Sequence, residues 1–224
     1  KEVAEGLGLL VLHGIVDCLW VRGGDLSTVH LFKERVEALT DIATEVEAYD
    51  WIAFLPLADG LGAYNRYFGR LARGGLKVRG VSARRRDTPE YVRRMQTEVF
   101  EKMGKARSIE ELRRVEGEAR EIAGRYRRGL EGADPSEMVI RRRISRLHYD
   151  KRCVQASVVS AYRRKGVKLS AGMTAGYVVR DAKRWEVDAE GDASGFDPEY
   201  YGALLEKAWE ETAFVFGFIE ERGG

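Results

Sequence analysis

One carboxylate stands in the run Val11-Leu12-His13-Gly14-Ile15-Val16-Asp17-Cys18-Leu19-Trp20-Val21, between two apolar, β-branched stretches that meet at a turn. An ionised Asp17 in such surroundings is costly unless a cation or hydrogen-bond donors meet it. Two readings stand side by side: a metal-ligating aspartate at the tip of a β-hairpin, or a turn aspartate hydrogen-bonded to its own backbone. His13, His30 and His148 have no sequence partner that suggests a metal site or a triad, and each reads as a structural or surface histidine. The chain carries no G-x-x-x-x-G-K phosphate loop, no G-x-S-x-G and no His-x-x-x-His. What accompanies the lone carboxylate is a set of arginine-rich strands. That combination suits phosphoryl transfer on a nucleic acid, where metal ions neutralise charge and basic strands hold the backbone.

The charge is distributed in blocks. Net charge is only +2, but residues 25–63 carry a local balance of −6, residues 66–94 of +8, residues 125–165 of +8 and residues 186–221 of −10. Basic blocks flanked by acidic ones suggest surfaces for a polyanion, with solvated helix faces as the plain alternative. The 224 residues, 44% hydrophobic and 33% charged, can bury a core as one large domain or two small ones. No apolar run approaches the roughly 18 residues of a membrane helix. Lys1 is followed by a mixed polar stretch with no signal-peptide pattern, so no membrane partner and a cytoplasmic location are expected. The chain lacks an initiator Met and reads as trimmed or as beginning inside a larger fold. Cys18 and Cys153 match no metal spacing and are expected to be free thiols.

The elements that must position these residues follow from periodicity and punctuation. Leu9–Val21 reads as a hairpin, and Phe32, Val36, Leu39, Ile42, Ala43 and Val46 predict an amphipathic helix over 33–49. Trp51–Leu57 and Ala63–Leu71 read as strands. A turn at Arg73-Gly74-Gly75 leads into Leu76–Val81, where apolar and basic residues alternate. Thr88 as N-cap and Pro89 at the first position open a helix with the stripe Val92, Met95, Val99 and Met103. Ser108 and Glu111 form a capping box for a second helix with the stripe Leu112, Val115, Ala119, Ile122 and Tyr126. Asp134-Pro135 breaks the chain before a short strand at Met138–Ile140. A helix over 151–165 is capped by Gly166, and Val167–Leu169 pairs with Met173–Val179. The last helix starts at Asp197-Pro198. The fold class is therefore α+β, sheet-rich first and helix-rich later.

Several of these segments resemble family B DNA polymerases. Leu12-His13-Gly14-Ile15-Val16-Asp17-Cys18-Leu19-Trp20-Val21 is similar to that family's palm hairpin, Y-G-D-T-D-S-L-F-V. Tyr64-Asn65-Arg66-Tyr67 resembles its K-K-R-Y strand, and Gly80 through Arg85-Arg86-Asp87 resembles G-L-E-x-V-R-R-D. Val167-Lys168-Leu169-Ser170-Ala171-Gly172 with Tyr177-Val178-Val179 resembles the thumb's I-K-V-x-P-G and S-Y-I-V. Asp197-Pro198-Glu199-Tyr200-Tyr201 resembles D-P-D-Y-Y. The matches are collinear with the family and cover almost all of the chain.

The resemblance implies a partial palm (residues 1–66), an antiparallel sheet with the catalytic hairpin, followed by a mostly helical thumb (residues 67–224). It implies the small subunit of a split archaeal polymerase, nucleoid-associated. A larger subunit would supply the N-terminal domain, exonuclease, fingers and rest of the palm; an excised C-terminal fragment is the rival account of the chain's limits. Asp17 would be the catalytic and metal-binding aspartate, sharing two Mg²⁺ ions with the partner and acting on primer-template DNA and dNTP. Ile15 stands where the family has its first acid, His13 replaces Tyr, Cys18 replaces Ser, and Asn65 replaces the second lysine. Asn65, Arg66, Tyr67, Arg85 and Arg86 would contact the new duplex. Asp87 would hold Arg85 or Arg86, or open the first thumb helix. Arg141, Arg142, Arg143, Lys151 and Arg152 are thumb candidates for backbone contact. The competing function is a non-catalytic DNA-binding or scaffolding subunit derived from an inactivated polymerase.

Overall fold

A computed structural model describes residues 1–15, 18–56 and 62–221, which form an α+β fold of three small antiparallel sheets and six α-helices. A short helix α1 (Glu2–Gly6) precedes the expected hairpin, β1 (Leu10–Ile15) and β2 (Cys18–Arg22). Pairing runs from Leu10↔Arg22 to Ile15↔Cys18, with a register shift between Val11 and His13. Trp20 fastens this hairpin to the next sheet. Its ring lies 5.2 Å from those of Phe54 and Tyr67, both edge-on, and 5.5 Å from that of Tyr49.

The first helix after the hairpin is shifted from the expected 33–49: α2 spans Leu26–Thr40. Asp25 sets its start, accepting hydrogen bonds from the Thr28 backbone N–H at 2.8 Å and from the Ser27 and Thr28 hydroxyls. Those donors, the Thr28 N–H first, hold the Asp25 carboxyl down at about 2. Asp41, in the left-handed region at φ 56°, ends the helix. The apolar spacing that suggested an amphipathic helix is real, yet no residue of α2 is buried, and Leu26, Leu31, Leu39 and the following Ile42 remain exposed.

The second sheet has the order β3-β4-β5, with β3 (Tyr49–Pro56), β4 (Gly62–Leu71) and β5 (Leu76–Arg79). Gly74 and Gly75, both at positive φ, make the expected tight turn between the last two. Phe68 on central β4 is fully buried, 5.0 Å from the ring of Phe100 and 6.2 Å from that of Trp51. Replacing Phe68 by Ala is expected to cost about 3–5 kcal/mol, read as a lower denaturant midpoint at unchanged slope.

Helix α3 (Glu90–Met103) buries Val92, Met95, Val99 and Met103, the predicted stripe. It starts later than expected: Pro89 takes the cap position, and the Thr88 carbonyl accepts from Arg93 instead. Helix α4 (Ile109–Arg128) is capped by Ser108, whose hydroxyl accepts from the Glu111 N–H at 3.2 Å. Glu111 returns a bond to the Arg107 N–H, one residue before the reciprocal partner a capping box would use. A 3₁₀ turn at Pro135–Met138 delays the following strand, so β6 is Ile140–Arg143. Helix α5 (Val154–Arg164) ends before Gly166 at φ 73°.

The third sheet has the order β6-β7-β8, with β7 (Thr174–Asp181) and β8 (Glu186–Ala189). The expected pairing of Val167–Leu169 with Met173–Val179 is not formed. Both edges of β7 are already occupied, by Ile140–Arg143 on one side and Glu186–Ala189 on the other. Helix α6 (Pro198–Glu221) begins at Asp197, whose carboxylate accepts from the Tyr200 and Ala182 N–H groups. A single cluster of buried side chains extends from Trp51 to Phe216 and joins the second and third sheets to α3, α4, α5 and α6. The expected boundary between residues 66 and 67 falls inside β4. Cys18 and Cys153 are free thiols.

Candidate nucleic-acid interface

Asp17 lies outside the described residues. Its neighbours on the hairpin, Ile15 and Cys18, are paired across the turn. Among the described residues, no three His, Cys, Asp or Glu side chains gather where they could hold a metal ion.

The basic candidates divide sharply by environment. Alternation along β4 sends Arg66 to the same face as Phe68, toward α6, and Asn65 with Tyr67 to the other. Tyr67 is buried in the aromatic cluster with Trp20 and Phe54. Asn65 is exposed. The Arg66 guanidinium is spread over three acceptors: the Gly80 carbonyl at 3.2 Å, Glu211 Oε1 at 2.9 Å and the Pro56 carbonyl at 3.5 Å. Gly80 is required here on two counts. Its φ is 66°, and a Cβ would stand 2.6 Å from the Asn65 carbonyl oxygen and 2.8 Å from Arg66 Cγ.

After Gly80 the chain makes a single 3₁₀ turn, Ser82–Arg84, and carries Arg85 and Arg86. The Arg85 Nη2 is 3.5 Å from the Gly80 carbonyl and 3.6 Å from Glu211 Oε1. Arg86 is exposed and has no ion-pair partner among the described residues. Asp87 holds neither of these arginines; it accepts from Nη2 and Nε of Arg142, at 3.0 and 3.2 Å. Burial pushes the Tyr177 hydroxyl up to about 12, against the pull of the neighbouring Arg142 cation.

On β6, Arg141 and Arg143 share the face opposite Arg142. Arg141 is paired with Glu190, whereas Arg143 is exposed and unpaired among the described residues. Lys151 is likewise exposed and unpaired there, and Arg152 donates to the Arg184 carbonyl. The structure thus brings Asn65, Arg66 and Arg85 together around Gly80, turns Tyr67 into the aromatic cluster, and leaves Arg86, Arg143 and Lys151 as open cations.

Two residues that sequence reading passed over hold this group. Glu211 of α6 is 6% exposed at its side chain, and Gln96 of α3 is fully buried. Their signal was present: Glu211 is three residues after buried Ala208 and four before buried Val215, and Gln96 sits between Val92 and Val99, so both occupy apolar stripes.

The elements described define an α+β unit that carries open cations at Arg86, Arg143 and Lys151. Its sequence is 28% identical over 139 residues to DNA polymerase 2 of Saccharolobus solfataricus, a match covering 62% of this chain and 21% of that protein. Its fold matches the structure of the family B DNA polymerase from Pyrobaculum calidifontis with a TM-score of 0.60 and 25% identity, over 95% of this chain and 27% of the other. No family model matches the chain. The chain is similar to the C-terminal part of archaeal family B DNA polymerases. It spans between a fifth and about a quarter of the length of these relatives. No helix of the described residues is long and apolar enough to cross a membrane.

Proposed function

We propose that this chain is the small subunit of a two-chain DNA-directed DNA polymerase in the cytoplasm, associated with the nucleoid. It would contribute a catalytic aspartate, Asp17, and a duplex-gripping thumb. The observation that carries this reading is the union of the two polymerase-like segments: Arg66 of the first donates to the carbonyl of Gly80, which opens the second. In this reading the palm-derived part and the thumb share β4, with the junction near residues 66 and 67. Asn65, Arg85 and Arg86 face the nascent duplex, Arg66 and Tyr67 fix the strand and loop that present them, and Arg141, Arg143 and Lys151 follow its backbone farther out.

Asp17 would supply one carboxylate toward Mg²⁺. The remaining ligands, with the fingers and the first palm aspartate, must come from a larger partner chain. Such ions would neutralise charge on the incoming dNTP and the primer end.

Primer extension tests the proposal directly. This chain alone and the larger chain alone are expected to be inactive, and their mixture active. Extension by the larger chain alone at the rate of the mixture would refute it.

Binding to primer-template should also weaken steeply with salt. If Arg85, Arg86, Arg141, Arg143 and Lys151 each meet a phosphate, log Kd against log salt has a slope of about 4 to 5. A flat response in a fluorescence-anisotropy titration would exclude these residues as the DNA track.

A further inference from the structure

We infer that Glu211, in the last helix, is a positioning residue for the basic loop that carries Arg85 and Arg86. This rests on the proposed duplex-facing role of those arginines. An acid next to cations that bind DNA would, through its charge alone, weaken binding. The bonding of Glu211 argues for a different role. Its Oε1 accepts from Arg66 Nη2 at 2.9 Å and lies 3.6 Å from Arg85 Nη2. Its Oε2 accepts from the Ser82 backbone N–H at 2.7 Å and from Gln96 Nε2 at 3.2 Å. One buried carboxylate thus joins β4, the loop after Gly80, α3 and α6.

The loop depends on these outside groups because it has little structure of its own. The backbone N–H groups of Ser82 and Ala83 donate to the side chains of Glu211 and Gln96, the latter at 2.6 Å. Gln96 cannot turn over: its amide NH₂ faces three acceptors, the Ala208 carbonyl at 2.7 Å and, sharing the second hydrogen, Glu211 Oε2 and Thr212 Oγ1 at 3.2 Å, so its oxygen must face Ala83. Arg66 and Arg85 meanwhile approach the same Glu211 oxygen. Without that charge the two guanidiniums repel each other, and the buried donors of the loop lose an acceptor. The arginines therefore keep their places because a helix more than 120 residues downstream supplies the counter-charge.

The sign of the effect on binding tests this. With fluorescent primer-template, the full chain and its partner where one is required, Glu211→Gln is expected to raise Kd about tenfold and to lower the salt slope by about one. Loss of negative charge alone predicts the opposite, tighter binding and a steeper slope. Unchanged or tighter binding by a folded Glu211→Gln chain, with folding followed by circular dichroism, overturns the inference.

Should that variant be unfolded at the assay temperature, Glu211→Asp serves. It keeps the charge but shortens the reach by one methylene, and wild-type binding by it overturns the inference equally. Arg85→Ala and Arg86→Ala separate this from the underlying reading. If they bind as tightly as wild type, or if the wild-type protein does not bind at all, both fall. If they bind weakly while Glu211→Gln binds normally, the positioning role alone falls.

Discussion

With the proposed function, replacing Asp17 by Ala is expected to lower nucleotide incorporation by the mixture of this chain and its proposed larger partner by about 1,000-fold, equivalent to about 4 kcal/mol of barrier, while the chains still associate. The size of the effect comes from the absence of a substitute. Ile15 occupies the position where the polymerase pattern has its other acid, and Ile15 pairs with Cys18 directly across the hairpin. Among the described residues no group of carboxylates, cysteines or histidines stands ready to take over a metal. Asp17 is thus the sole acid of the hairpin, and its loss cannot be shared. Single-turnover incorporation with saturating dNTP measures the chemical step, and co-elution on size exclusion measures association. Activity within a few-fold of wild type would favour the alternative of a DNA-binding subunit that has lost its chemistry, because such a subunit has no use for Asp17.

How much of this could be read from residues alone depended on whether the signal was local. The hairpin, the Gly74-Gly75 turn, the Ser108 cap and the stripes of α3 and α4 are each specified within one or two turns of chain, and the structure has them. The apolar spacing over 32–46 points to a later helix than α2, because it carries no trace of the Asp25 cap bonds that fix the start. β8 was missed because Glu186–Ala189 is short and its pairing with β7 is decided by the third sheet as a whole. At the site, the basic positions were visible but their commitments were not. Arg66 and Arg86 look alike in the sequence, yet one is bonded to Glu211, 145 residues away, and the other is open. Asp87 likewise turns to Arg142, 55 residues on, instead of to its sequence neighbours. Long-range pairing of this kind leaves only an indirect trace, a polar residue inside an apolar stripe, as at Gln96 and Glu211.

Replacing Trp20 by Ala is expected to reduce incorporation about 100-fold without a comparable loss of global stability. The β1–β2 hairpin forms a sheet of its own, and two-stranded hairpins are marginal without packing support. Leu10, Leu12 and Leu19 of this hairpin are exposed, so they contribute little to holding it. Trp20 supplies the attachment through its contacts with Tyr49, Phe54 and Tyr67. The large buried cluster that begins at Trp51 does not include Trp20, so the thermal midpoint of the whole chain should move little. What changes is the position of the hairpin bearing Asp17, and a displacement near 1 Å at a reacting group can cost about 100-fold. Hydrogen exchange should rise at the amides of β1 and β2 and stay constant in α3 and α4. Trp20→Phe is the informative companion. The indole N–H is buried and has no acceptor among the described residues, so removing it forfeits none of the described hydrogen bonds while the aromatic packing is largely retained. Near-normal activity is therefore expected of Trp20→Phe. Wild-type incorporation by Trp20→Ala, or equal losses in both variants, would show that aromatic anchoring of the hairpin does not set the reacting geometry.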